Sequence, residues 1–179
     1  MADYDVVLLV EQMLTPQDAQ QVRSLHDGLD DPVAYHLLLP LDDAAARVEA
    51  SLGSLSGGEL LASPGLPMND VDLEAVRADS RDRSRSELTA SVAALEAAGA
   101  TVASSTVVTG SPVEELAAKV AAVDGREAIV LTEPHVVAEF FHLDWTSQAR
   151  RKIGVPVLHL LEHETFDEQA AGPDGISGA

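Results

Sequence analysis

The chain has no cysteine, which excludes disulfides, thiolate catalysis and cysteine-held zinc or iron–sulfur sites. Aromatic residues make up only 3% and include a single tryptophan. The core must therefore be assembled from Val, Leu, Ile and Ala, and aromatic platforms that stack nucleic-acid bases are not expected. Positive charge is also scarce: 11 Lys and Arg stand against 30 Asp and Glu, a formal net charge of -19. A field of that sign repels phosphate backbones and anionic lipid surfaces. The arginine group Arg81, Arg83 and Arg85 lies among Asp79, Asp82 and Glu87 and reads as a solvated mixed-charge helix face. No apolar run approaches the roughly 18 residues that span a bilayer. The start, MADYDVVLLVEQ, lacks a basic leader region. The expectation is a soluble cytoplasmic protein without nucleic-acid or membrane partners.

What is present is an alternation of strands and helices. The chain has 179 residues, 46% of them apolar, enough for one domain with a real core. Tyr4–Val10 and Val33–Leu39 are continuous apolar runs of the kind buried on both faces of a parallel sheet. Between them, Thr15-Pro16-Gln17-Asp18 opens a helix whose stripe is Val22, Leu25 and Leu29. A helix through AAARVEASL follows, and then breaker clusters from Gly53 to Asp72 that read as a long irregular connection. Ser80–Ala98 is a helix with Leu88, Val92 and Leu95 on one face and Gly99 just past its end. Thr101–Thr109 is a strand. Ser111-Pro112-Val113-Glu114 reads as a capping box, and the helix it opens buries Leu116, Val120 and Val123. Ala128–Thr132 and Val155–Leu161 are the last two strands. The domain is expected over residues 1–163, with the acidic stretch 164–179 disordered. This order predicts a doubly wound parallel α/β sheet with helices on both faces.

Four segments carry a family resemblance. TGSPVEELAAKV resembles the G-(D/S)-P-x-E-x-(I/L) helix start of universal stress proteins, and EAIVLT resembles their A-D-(L/I)-(I/V)-V-(M/L)-G strand. Thr146-Ser147 resembles the G-(S/T) opening the last helix, and Gly154-Val155-Pro156-Val157-Leu158 resembles the C-P-V-L-V final strand. The resemblance implies five parallel strands in the Rossmann-like order 3-2-1-4-5, a stress-response role, and a homodimer formed by the last strand through Val155, Val157, His159 and Leu161. It also implies a ligand crevice between the first and fourth strands, outside their carboxyl ends. That places Glu11, Gln12, Thr132, Glu133, Pro134 and His135 at the crevice mouth, with Thr146 and Ser147 facing it.

The family's ATP motif, G-x2-G-x9-G-(S/T), is missing: no glycine occurs between Gly125 and Gly154, and Thr132 stands where the first would sit. Those glycines admit positive φ and let backbone amides approach phosphate. Branched threonines do neither, and Glu133 and Glu139 add negative charge. No cofactor is expected, and the function read here is a non-catalytic stress-response, small-molecule or partner-binding module that does not hold ATP in the family manner. Two alternatives stand beside it. One is an ATP or AMP binder with nonstandard contacts through Glu11, Thr146 and Ser147; the other is a hydrolase or transferase using the crevice near Phe140–Trp145. The single Glu139-x-x-His142 lacks the second copy that a two-metal carboxylate site needs, so no metal is expected. His159 reads as a hydrogen-bonded core or interface histidine. No G-x-S-x-G elbow or Walker lysine occurs, and nothing in the spacing links a particular Ser, His and Asp.

Overall fold

The computed structural model describes residues 4–41, 73–132 and 152–161. Five parallel strands form one sheet: β1 (Tyr4–Val10), β2 (Val33–Pro40), β3 (Thr101–Val108), β4 (Glu127–Thr132) and β5 (Val157–Leu161), in the spatial order β3-β2-β1-β4-β5. The predicted order is correct, and β3 and β5 are the edges. The final strand begins at Val157, two residues after the predicted start.

Helix α1 (Pro16–Ser24) starts as its sequence dictates. Thr15 Oγ1 accepts from the Asp18 amide at 3.2 Å, and Asp18 accepts in return from the Thr15 amide at 3.0 Å. It stops earlier than the apolar stripe suggested. Successive turns through Leu29 bring the His26 ring into the core and leave Leu29 43% exposed.

Helix α2 (Leu73–Ala97) already includes the seven residues before the predicted start at Ser80, and Gly99, just past its end, has a φ of +83°. It packs on α1, with Ser84 and Ser91 buried, and Ser91 Oγ accepts from the Leu14 amide at 2.9 Å.

Helix α3 (Pro112–Val123) forms without the predicted capping box: Ser111 makes no side-chain cap. The Glu114 carboxylate that would close the box instead accepts from Lys152 Nζ at 3.0 Å. At the other end Asp124, not Gly125, takes the left-handed turn (φ 52°). Gly125 packs closely: a Cβ there would touch Val120 Cα and Val7 Cγ2 at 3.4 Å, about van der Waals contact.

Alternation along the buried strands creates a core on each face. Val6, Leu8, Tyr35, Leu37, Ile129 and Leu160 pack toward α1 and α2. Val7, Leu9, Leu38, Val130 and Ile153 pack with Leu116 and Val120 of α3. Strand β3 carries one extra residue. Tyr35 pairs with Val102 and His36 with Ser104, so Ala103 has no partner position. From Ser104 onward this surplus exchanges which residues of β3 face α3. The AAARVEASL helix, the Gly53–Asp72 connection and the stretch 164–179 lie outside the described residues.

Candidate functional site

The crevice mouth is built by the carboxyl ends of adjacent strands. Val10 pairs with Leu131, and the Glu11 amide extends the ladder by donating to the Leu131 carbonyl at 3.1 Å. This brings the half-buried Glu11 beside Thr132; Gln12, the next residue, is half-buried too. Thr132 is 7% exposed, and its Oγ1 lies 2.8 Å from His159 Nε2 on β5. Burial holds the His159 ring well below the usual imidazole range, at about 4, so it is neutral near pH 7. The hydroxyl and the ring bridge β4 to β5 on the α3 side. Glu133, Pro134, His135, Thr146, Ser147 and the Phe140–Trp145 stretch lie outside the described residues. Val155, Val157, His159 and Leu161 of the predicted interface are half-buried at the β5 edge.

Two further polar networks were not foreseen. On the face toward α1, His26 Nδ1 lies 2.8 Å from the Tyr35 hydroxyl, and His26 Nε2 lies 3.3 Å from Glu127, which also accepts from Tyr4 at 3.3 Å. Tyr35 is fully buried, and desolvation pushes its phenol up to about 12. A cleft of about 250 Å³ opens beside this network, lined in part by Arg23, His26, Asp31 and Thr101. On the opposite face, three strands contribute one residue each: Ser104 Oγ lies 2.8 Å from His36 Nδ1, and His36 Nε2 lies 2.8 Å from Asp5 Oδ1. The available signal was a lone polar residue inside each apolar run, Asp5 in β1 and His36 in β2, because a buried polar group needs a partner. Among the described residues, no three His, Asp or Glu side chains gather as metal ligands. No helix among them is long and apolar enough to cross a membrane.

The sequence matches no family model and no curated protein. Solved structures do match by shape. The hypothetical protein MJ0577 superposes with a TM-score of 0.52 at 14% identity, covering 92% of this chain and 100% of that one. A universal stress protein family protein from Arabidopsis thaliana, determined with AMP bound, gives 0.49 at 13% identity over 96% of this chain and 99% of that one. The universal stress protein from Archaeoglobus fulgidus in complex with dAMP gives 0.46 at 12% identity over 89% and 98%. At these identities the likeness is one of fold, and the fold is universal-stress-protein-like.

Proposed function

We propose, with the universal-stress-protein-like fold as premise, that this chain is a stress-response or small-molecule-binding module whose crevice does not take ATP through a glycine-rich loop. Thr132 carries the reading. It stands where the resemblance expects the first glycine, its branched side chain is buried, and its hydroxyl is engaged by His159. Phosphate recognition by backbone amides needs a chain that can come close and turn through positive φ. Thr132 remains in regular strand, and positive φ among the described residues occurs only at Gly99, Asp124 and Gly154. The half-buried Glu11 adds a carboxylate beside the same strand end. At an effective dielectric of about 20, a carboxylate roughly 8 Å from a phosphate opposes it by about 2 kcal/mol, more than the roughly 0.3–1 kcal/mol an exposed helix N-terminus returns.

Native mass spectrometry of freshly purified protein, followed by calorimetric titration with ATP and AMP, tests this. The expected result is protein free of nucleotide and no micromolar heat. Micromolar binding of either nucleotide would sink the reading in favour of nonstandard contacts, with Glu11, Gln12, Thr132, Thr146 and Ser147 as the residues to substitute.

The second part of the proposal is a homodimer through β5. That strand is a sheet edge whose Val157, His159 and Leu161 are only half-buried, and it bears no guarding charge from Val157 to Leu161.

A further inference from the structure

We propose that Ser104 is a reactive nucleophile, and that Ser104, His36 and Asp5 together accept an acyl group from small neutral or cationic esters. The geometry is that of a nucleophile, a base and an orienting carboxylate. A carboxylate can only accept, so the 2.8 Å contact to Asp5 places the ring proton on His36 Nε2. That leaves the Nδ1 lone pair facing Ser104 Oγ at 2.8 Å, in position to take its proton. The ring is held from both sides: its side chain is 9% exposed, while that of Asp5 is 24% exposed.

Access distinguishes this group from the chemically parallel Tyr35, His26 and Glu127. There the hydroxyl is fully buried, and no substrate reaches it. Ser104 is half-buried on the edge strand, on the α3 side. The surplus residue Ala103 completes the arrangement. In an uninterrupted strand Ala103 would stand opposite His36 and Ser104 would face α2; the extra residue places Ser104 on the histidine's face.

The reaction balances without any other group. Oγ forms a bond to the acyl carbon, the bond to the leaving oxygen breaks, and the Oγ proton passes through Nδ1 to the departing alkoxide. Water then gives a proton to Nδ1 and attacks the acyl carbon, and Ser104 Oγ leaves with that proton. A net charge of -19 disfavours anionic esters, which sets the substrate class.

The test is covalent labelling of the full folded chain with a fluorophosphonate, located by peptide mass spectrometry, alongside p-nitrophenyl acetate turnover. Ser104 should label far faster than the other serines of the same chain. Ser104→Ala should remove the label and the turnover, and His36→Gln should slow both by about 10²–10⁴-fold, the usual contribution of a positioned base. Asp5 acts through His36. Asp5→Asn, which can donate to Nε2 and favour the wrong tautomer, should lower the rate and displace its acid limb, with partial rescue by Asp5→Glu. Thermal melts confirm that each variant is folded. Labelling of folded wild-type protein no faster at Ser104 than elsewhere, or unchanged labelling in folded His36→Gln, would overturn the proposal. Neither outcome bears on ATP at the crevice.

Discussion

At the scale of single residues, the same imidazole ring serves three environments. His26 is locked between a buried phenol and Glu127, His36 bridges Asp5 to a half-exposed serine, and His159 meets Thr132 where burial disfavours the charged ring. The last carries a pH dependence. Burial lowers the uptake of a proton by the folded ring to about 4, whereas a free imidazole takes one up near 6.5. Between those values the unfolded chain binds more protons, so stability falls as pH drops from 6.5 toward 4. Allowing for partial solvent access, the loss is about 1–2 kcal/mol. A His159→Gln variant, which can still reach Thr132, should flatten that part of the curve. Denaturant midpoints at pH 7 and pH 4.5 for both proteins check it, and equal pH slopes would refute the assignment.

At the scale of elements, β5 makes the sharpest commitment. Placing a charge on its half-buried edge with Val157→Lys should shift the sedimentation equilibrium at micromolar concentration from dimer to monomer, with little change in the melt, if two β5 edges pair. A wild-type monomer at that concentration would remove the dimer from the account. The elements also show what a sequence can and cannot disclose. Val6–Val10 and the run from Ala34 to Leu39 were legible because buried parallel strands must be apolar throughout. The Thr15 cap was legible because both of its partners lie within three residues. Ser111 has the same local signature and fails, because Glu114 finds Lys152 instead, 38 residues away. Leu29 kept the helical spacing, yet the chain turned to bury His26. Glu11 and Thr132 meet because strand order alone fixes which carboxyl ends are adjacent. The Ser104, His36 and Asp5 line was not legible. Its contacts span 68 and 31 residues, and an unannounced extra residue in β3 reverses the alternation that would locate Ser104.

At the scale of the whole molecule, the acidic excess matters more than any ion pair. Exposed pairs such as Arg23–Asp27 and Arg77–Glu74 are individually worth about 0–1 kcal/mol. Against them stands the self-repulsion of a -19 chain, which opposes compactness and is screened by salt. Raising sodium chloride from about 20 mM to about 500 mM shortens the screening length from roughly 20 Å to under 5 Å. A gain of about 1 kcal/mol would raise the melting temperature by roughly 2–4 °C for a chain of this size. A scanning calorimetry series in salt checks this; a melting temperature that falls with salt would mean local ion pairs, not the global field, govern stability.

The surplus residue in β3 has a genetic consequence. Deletions inside a strand normally put the remaining side chains out of phase, yet β3 admits single-codon deletions that yield an uninterrupted strand with its core residues in place. Loss of Ala103 keeps Ser104 opposite His36. Loss of Ser105, with the irregularity absorbed, leaves Val107 and Val108 on their faces but sets Ala103 against the histidine and turns the serine away. Two lineages could therefore share fold, length and core while only one retains the reactive hydroxyl, the difference being a serine or an alanine opposite His36.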